Sequence, residues 1–223
     1  MSLKLSHCVP EDAPELAEAY IATYKPVSAR YQATYGKVPR ETMLKIWEED
    51  FRKGLECESQ PSPTQEAHYL KVTDPRSGEI MAYAIWKYLP QGYKTEDDPQ
   101  VQAESVPGVN EILMREFCRM VGEIRNEHPG RREAHWLLLL LGTVPKYERR
   151  GAGGLLIRWP FERADRDGKR CYVDASPIGY QLYKRCEFSE DVGEMSLDLS
   201  KYEPGSGLGT MKWVAMMREP QSK

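Results

Sequence analysis

The residues with the clearest chemical potential lie in one short stretch, Glu-Arg-Arg-Gly-Ala-Gly-Gly, at positions 148–154. An apolar run at 136–141 precedes it and an apolar series follows, as expected for a buried strand, a turn and a helix. The first amides of a helix lack partners and point outward at its positive end. Glycine lets backbone approach a ligand, and arginine adds donors for phosphate. The stretch predicts a phosphate-binding turn; the alternative is a tight strand-to-helix connection with two surface arginines.

Two common nucleotide-binding patterns do not fit this turn. A P-loop requires a lysine followed by serine or threonine after its second glycine, and no such pair is present here. A dinucleotide fingerprint requires a third glycine where this chain has Leu156, and it belongs to a first strand-helix-strand unit rather than two-thirds along a chain. Both nucleotide interpretations are therefore weakened.

Two linked motifs resemble those of the GCN5-related N-acetyltransferases. Residues 144–159 are similar to the family's motif A, a strand and glycine-rich turn that opens a helix and binds the pyrophosphate of acetyl-CoA. Residues 171–188 are similar to motif B, in which a strand leads to a short helix with a tyrosine; here its signature is Leu-Tyr-Lys-Arg-Cys-Glu-Phe at 182–188. The resemblance covers roughly residues 134–190, and the combination looks most like fungal members.

The resemblance implies that acetyl-CoA lies where two parallel strands splay apart. The implied cofactor-binding residues are the main chain of Leu141, Gly142 and Thr143 for pantetheine, Arg149, Arg150, Gly151, Ala152, Gly153 and Gly154 for pyrophosphate, and Ser176 near the thiol. Tyr183 falls at the family's general-acid position, and a phenol with a pKa near 10 suits protonation of a leaving thiolate. The alternative for Tyr183 is a core aromatic, because Leu182 and Phe188 surround it.

Three positions depart from the family's pattern. Glu148 stands where glutamine or arginine is usual; because an anion cannot donate to phosphate, we expect it to point away. Glu187 replaces the glycine that precedes Phe188. Pro160 lies inside the predicted helix, where it removes a backbone hydrogen bond and should kink the helix.

The general base and the acceptor pocket are not determined by these motifs. Cys171 occupies the position at which some members carry a glutamate, and a packed thiol is a poor base. Asp174, His135, Glu79, Glu111 and a water chain to bulk solvent all remain candidates. A second set, Tyr24, Tyr31 and Tyr35, either lines an aromatic pocket for a small amine or packs the first helices.

The elements that must position these residues follow from periodicity and turn chemistry. A capping-box spacing, Asp12 to Glu15, predicts a helix start. The predicted strands are 3–7, 67–74, 79–89, 134–143, 170–175, 193–199 and 209–218; the helices begin at Asp12, span 40–56, 109–127 and about 151–167, and open at Ser176-Pro177. This order predicts a mixed α/β (α+β) chain folded as one domain over 1–223.

The family resemblance sharpens this architecture. It implies a mixed central sheet of about six to seven strands, splayed between the fourth and fifth, with helices on both faces. Residues 134–190 would form the acetyl-CoA-binding core, and the aperiodic segment 90–108 would be a loop insertion or lid.

Composition limits the remaining possibilities. The 223 residues are 40% apolar and 29% charged with a net charge of −3, which gives no indication of nucleic-acid or membrane binding and favours a cationic amine only weakly. No apolar run approaches the roughly 20 residues that span a bilayer. Five cysteines without short spacing are typical of reduced thiols in a cytoplasmic protein, and the four scattered histidines suggest no metal site.

Taken together, the motifs predict an acetyl-CoA-dependent N-acetyltransferase that transfers acetyl directly to a primary amine, of a small molecule, in a ternary complex. A protein acetyltransferase acting on lysine or an N-terminus is one alternative. The other is a non-catalytic acyl-CoA-binding module. Edge strands near the C-terminus allow a homodimer without specifying one.

Overall fold

The computed structural model describes residues 3–58, 66–95, 106–203 and 207–221. Within these ranges the strands are β1 Lys4–His7, β2 Glu66–Thr73, β3 Ile80–Leu89, β4 His135–Thr143, β5 Arg170–Ala175, β6 Ser189–Asp198 and β7 Thr210–Arg218. The helices are α1 Ala13–Tyr24, α2 Ala29–Tyr35, α3 Arg40–Glu58, α4 Glu111–Glu127, α5 Ala152–Arg158, α6 Phe161–Arg166 and α7 Tyr180–Arg185. Most of the predicted elements are therefore present, and much of the predicted 90–108 loop lies outside the described residues.

The strands form one mixed sheet in the order β1-β2-β3-β4-β5-β7-β6. Only β4 and β5 run parallel, and they pair over a short stretch that ends at Leu138 and Val173. Beyond these residues β4 continues along β3 and β5 continues along β7. The two strands therefore part before they end, which confirms the predicted splay between the fourth and fifth strands.

A β-bulge in β4 coincides with this parting. Ile85 pairs with Leu140 while the next residue, Trp86, pairs with Leu138, so Leu139 is an extra residue on β4. Bulges bend a strand and re-aim its groups, and they occur often beside functional sites. The bulge therefore turns the end of β4 away from β5.

Helices cover both faces of the sheet, as predicted. On one face α5 and α6 bury Leu156, Ile157 and Phe161 against the central strands. On the other face α1 and α3 form a second cluster, and α4 packs against β6 and β7. The indole Nε1 of Trp86, fully buried in β3, donates to the Leu156 carbonyl at 2.9 Å and so ties α5 to the sheet. None of the described helices combines the length and apolar character needed to cross a bilayer.

Several local predictions are wrong in instructive ways. Asp12 and Glu15 form no capping box, because the Asp12 carboxylate accepts from the Val9 amide at 2.8 Å and Glu15 accepts from the Ile80 amide at 2.6 Å. Pro160 does more than kink its helix: α5 ends at Arg158 and α6 begins at Phe161.

Two helix boundaries also differ. The Ser176 carbonyl accepts a hydrogen bond from the Gly179 amide at 3.1 Å and so closes a turn. As a result α7 begins at Tyr180 rather than at Pro177. The segment 25–40, for which no helix or strand was predicted, contains α2. Its signals are Ser28, whose side chain accepts from the Tyr31 amide at 3.2 Å, and Gly36 just past its end.

Candidate active site

A cleft of 1230 Å³ opens where β4 and β5 part. One group of lining residues, here called the turn side, is Thr143, Glu148, Arg149, Gly151, Ala152, Gly153, Gly154 and Arg158. A second group, the aromatic side, is Tyr20, Tyr24, Arg30, Phe117 and Trp213. Leu141, Ser176 and Tyr183 line the same cleft. The fold thus brings most of the sequence-predicted site residues to one cavity.

The turn between β4 and α5 enters the left-handed backbone region twice, at Arg149 (φ 61°) and at Gly151 (φ 88°). Such alternation can aim successive amides to one side and create an anion-binding concavity. Among the described residues, no acceptor pairs with the amides from Arg149 to Gly154. A Cβ at Gly153 would lie 3.3 Å from Leu182 and 3.4 Å from Thr143, so this glycine keeps α5 close to β4 and α7. The turn therefore presents free donors beside the cleft.

Two further arginines add charge on the turn side. Arg158 and Arg185 both line the cleft, and neither was among the predicted site residues. Arg158 donates to the Gly154 carbonyl at 3.2 Å and to the Arg185 carbonyl at 3.4 Å. Because Arg158 follows Gly151 by seven residues, about two helical turns, periodicity could have placed it on the same helix face.

Three predicted residues have other surroundings. Arg150 does not line the cleft; its Nη1 lies 3.6 Å from Asp74 Oδ2 and its guanidinium lies over the Tyr147 ring. Gly142 is buried against Tyr83, whose ring would lie 2.3 Å from a Cβ at this position. Glu148 was expected to point away, but it lines the cleft; it is exposed and has no ion-pair partner within the described chain. The turn side therefore keeps one anion among its cations.

The end of β4 contributes main-chain groups, but one is already engaged. The Tyr24 hydroxyl donates to the Leu141 carbonyl at 2.7 Å. Burial raises the pKa of Tyr24 well above its usual value, so the phenol remains a donor at neutral pH. A carbonyl oxygen has two lone pairs, so the Leu141 carbonyl retains capacity for one more donor.

Tyr183 is buried in α7 and faces the cleft. Its ring packs edge-on against Phe188 with 5.9 Å between centroids. A Cβ at Gly179, one turn earlier, would lie 2.8 Å from that ring, so the glycine makes room for it. No described residue hydrogen-bonds to the Tyr183 hydroxyl, and burial, with Cys186 and Asp174 nearby, raises its pKa. The phenol is thus a protonated, unengaged donor.

A buried ion-pair triad lies beside Tyr183. The Asp174 carboxylate binds Arg125 at 2.7 Å and Arg131 at 2.8 Å, and all three side chains are at most 9% exposed. Burial alone would raise the pKa of Asp174, but Arg131 and Arg125 outweigh it and hold the pKa at about 2. Asp174 is therefore an anion at neutral pH with too little basicity to accept a proton from an amine.

The other candidate bases are no better placed. Glu79 receives hydrogen bonds from Tyr147 and Lys146, which lower its pKa to about 2. Burial lowers the pKa of His135 to about 4, and burial raises the pKa of the Cys171 thiol to about 12. Neither Glu79, His135 nor Glu111 lines the cleft. None of these candidates is therefore both placed in the cleft and basic enough to deprotonate an amine.

The aromatic side is built largely from elements that the motifs do not include. The Arg30 guanidinium lies 4.5 Å from the centroid of Phe117, whose ring is 5.2 Å from that of Trp213. Of the three tyrosines considered for an aromatic pocket, only Tyr24 lines the cleft. Tyr31 and Tyr35 are buried against α1 and α3. These two tyrosines therefore pack the first helices, which was the alternative to lining a pocket.

A separate cluster of possible metal ligands lies elsewhere. The donor atoms of His7, Glu58 and His68 lie within 4.8 Å of one another, and the Trp159 ring is 4.7 Å from that of His68. The sequence spacing gave no sign of this proximity, which arises because β1 pairs with β2. The expectation that no metal is bound remains a prediction.

Comparisons with known proteins concern the fold. No family model and no curated protein matches the chain in sequence. Arylalkylamine N-acetyltransferase 2 from Aedes aegypti matches in structure with a TM-score of 0.68 and 12% identity, over 99% of this chain and 100% of that one. The C-terminal condensation domain of Ebony, solved with beta-alanyl-dopamine, matches with a TM-score of 0.62 and 14% identity, over 98% and 99%.

A third match is a Corynebacterium glutamicum structure described as histone acetyltransferase HPA2 and related acetyltransferase. Its TM-score is 0.58 and its identity 18%, over 100% of this chain and 99% of that one. At such identities the similarity establishes the fold. The predicted fold of the GCN5-related N-acetyltransferases is therefore confirmed.

Proposed function

We propose that this chain, which has the fold of the GCN5-related N-acetyltransferases, transfers acetyl from acetyl-CoA to the primary amine of a small molecule. One observation carries the proposal: a single cleft joins a turn of unpartnered amides to a buried tyrosine whose hydroxyl is unengaged. The first feature suits a phosphate-bearing ligand and the second suits proton donation. A fold alone would not justify an activity, so the argument depends on this site.

The turn side has the chemistry to hold the pyrophosphate of acetyl-CoA. The amides of residues 149–154, with Arg149 and Arg158 beside them, offer donors and positive charge. Leu141 and Thr143 at the end of β4 offer main-chain groups to pantetheine, and Ser176 lies across the cleft at the end of β5. Acetyl-CoA supplies the acetyl group as a thioester.

Tyr183 acts as the general acid in this proposal. Because its pKa is raised by burial, the phenol carries its proton throughout the neutral range, and the same shift makes it a weaker acid than the free phenol whose pKa matches a thiolate. It can hold that proton until a departing thiolate takes it up. Gly179 and Phe188 fix the ring in position.

Deprotonation of the acceptor amine requires no side-chain base here. Arg30 and Arg125 line the cleft, and among the described residues Asp174 is the one carboxylate that forms an ion pair with either of them. Nearby positive charge disfavours the protonated form of an amine and lowers its pKa. We infer that the amine loses its proton to solvent in the open part of the cleft and attacks as the free base.

The first test measures ligand binding to the full chain. Thermal unfolding is followed with acetyl-CoA, CoA, ATP and NAD, and we expect a rise in Tm with the two CoA compounds. A rise with ATP or NAD and none with CoA would exclude the proposal. Thiol release from acetyl-CoA in the presence of a broad amine panel then tests turnover.

The second test replaces Tyr183 with phenylalanine. We expect kcat to fall about 10²–10⁴-fold, the range of general acid catalysis, while the Kd for acetyl-CoA changes less than about twofold. Tyr180→Phe, in the same helix but outside the cleft, is the matched control and should keep full activity. Undiminished turnover in Tyr183→Phe would remove the tyrosine from the mechanism; acetyl-CoA binding with no turnover on any amine would favour a non-catalytic acyl-CoA-binding module.

A further inference from the structure

We propose that Arg30 and the aromatic side bind an acceptor that carries a carboxylate on an aromatic or apolar body, as well as the amine. This inference rests on the proposed function and names the substrate class of the same cleft. It assigns Arg30 as the anion-binding residue and Phe117 as the surface on which the acceptor's apolar body lies. The net charge of the chain weakly favoured a cationic amine; the proposed acceptor carries a carboxylate in addition to its amine.

The charge on this side of the cleft is positive. Three guanidinium groups, those of Arg30, Arg125 and Arg131, lie on or behind this wall, and Asp174 is the one carboxylate that binds any of them among the described residues. Arg131 has two further nitrogens, Nε and Nη1, that are buried without an acceptor. The triad therefore does not neutralise the wall.

Arg30 is the accessible member of the three. It is half-buried, lines the cleft, and has no carboxylate partner in the described chain. Arg125 lines the same cleft. A planar guanidinium carries five N–H donors, so beyond its hydrogen bond to Tyr20 Arg30 can bind a carboxylate in a bidentate manner.

The walls around Arg30 are aromatic and polarisable. Phe117 holds the guanidinium from one side at 4.5 Å, and the Met211 sulfur lies 3.2 Å from the Arg30 amide nitrogen. Trp213 and Met195 line the same part of the cleft. These surfaces gain stability by burying apolar area of a ligand, which a polyamine chain supplies less well than an aromatic ring.

The same charges exclude a competing class. A polyamine would bring additional ammonium groups toward Arg30 and Arg125, and like charges in a partly desolvated site repel. An acceptor with one amine and one carboxylate brings the opposite charge to Arg30. The cleft therefore discriminates between these amines by repulsion as well as by attraction.

The test compares acceptors that differ only in a carboxylate. Phenethylamine is paired with phenylalanine, and with 4-(2-aminoethyl)benzoate, which carries its carboxylate across the ring; spermidine represents the polyamines. We expect at least one carboxylate-bearing acceptor to have a kcat/KM roughly 10-fold or more above that of phenethylamine, consistent with a hydrogen bond to a charged group. Higher kcat/KM for phenethylamine or spermidine than for both carboxylates would overturn the proposal.

Variants of Arg30 separate charge from packing. Arg30→Met should remove the preference by raising KM for the carboxylate-bearing acceptor about 10-fold with little change for phenethylamine, and Arg30→Lys should restore part of it. Arg115→Met, an exposed arginine on α4 outside the cleft, is the control for lost charge and should retain the preference. A preference that survives Arg30→Met would contradict the assignment.

A binding measurement tests the carboxylate site independently of the proposed acetyl transfer. Binding of 3-phenylpropanoate, which has no amine, is titrated calorimetrically into the CoA-loaded protein and its Arg30→Met variant. Weaker binding to the variant supports the carboxylate site even if no amine is acetylated. Equal binding to both, in a protein that turns over phenethylamine, would refute the site while leaving the acetyltransferase proposal intact.

Discussion

The two sides of the cleft are built in different ways. The turn side is local: its residues are nearly consecutive, several are exposed, and backbone conformation at Arg149 and Gly151 shapes it. The aromatic side is assembled from α1, α2, α4 and β7 over the buried Asp174 triad. A change on the turn side should therefore alter ligand affinity with little effect on folding. A change in the triad should alter the stability of the whole chain.

The largest expected effect breaks the triad. Asp174→Asn leaves Arg125 and Arg131 buried without their anion, and loss of one partner of a buried pair typically costs about 3–5 kcal/mol. Urea unfolding measures the change in the free energy of unfolding. Asp167→Asn, which removes an exposed carboxylate paired with Arg166, is the control and should change it far less, because exposed ion pairs contribute little to stability. Equal effects of the two substitutions would show that the triad is not a structural element.

Acid should reveal the same triad in the unaltered protein. The ordinary pKa of Asp174 is 3.8, and in the folded chain it falls to about 2. A depressed carboxyl pKa stabilises the folded state above the unfolded value, so this contribution is complete above about pH 4 and is lost as pH falls toward 2. The shift corresponds to about 2 kcal/mol. The unfolding free energy of Asp174→Asn should fall less steeply across this window; parallel curves would contradict the assignment.

The next effect concerns the turn side alone. Gly151→Ala forces a side chain to adopt a φ of 88° in open space, a strain of about 1–2 kcal/mol that the turn can relieve by changing shape. We expect the Kd for CoA to rise about 10-fold. Gly168→Ala is the matched control, because Gly168 also has a positive φ and open surroundings but lies outside the cleft. Its CoA affinity should not change, while both variants lose similar stability.

A smaller effect is expected at Glu187, the residue that replaces the family's glycine. Its φ is 69°, so glycine should relieve strain and raise the free energy of unfolding by about 0.5–1 kcal/mol. Part of the gain is offset because Glu187 accepts from Gln221 at 2.8 Å. Glu187→Ala loses that contact without relieving the strain and should destabilise. A Glu187→Gly variant no more stable than Glu187→Ala would argue against strain at this position.

The smallest expected effect is the contribution of the Glu148 charge to CoA binding on the turn side. Glu148 is an exposed anion lining the cleft beside Arg149. Glu148→Gln should lower the Kd for CoA about twofold to fivefold, the scale of an exposed charge interaction. The gain should shrink as salt is added, because exposed charges are screened. A Kd that rises, or a gain indifferent to salt, would show that Glu148 does not face the phosphates.

The strands and the glycine-rich turn could be predicted because their signals are local. Alternating or continuous apolar runs marked the strands, and the glycine and arginine spacing at 148–154 marked the turn. The parting of β4 from β5 was implied by the family resemblance, and the structure confirms it. Pro160 predicted a local disturbance of the helix for the same reason, since the lost backbone bond depends on no distant partner, although the helix ends there where a kink was expected.

The aromatic side could not be predicted in this way. α2 is only seven residues long and has no acidic residue in its first turn, so periodicity gave little evidence for it. Asp174 was visible as a residue, but its two partners lie 49 and 43 positions away. Their contact turned a candidate base into a buried anion with a pKa of about 2. Only three-dimensional proximity could supply that information.

By itself the sequence determined the strands, the turn with its free amides, and Tyr183 as the residue to examine, since each depends on neighbouring residues and local backbone conformation. Only the tertiary structure decided which charged side chains lie in contact with one another. It turned Arg150 toward Asp74, placed Arg30 on Phe117 within the cleft, and joined Asp174 to its two arginines. The physical reason is that pKa and charge balance in a cleft depend on groups brought close by folding, whatever their separation along the chain.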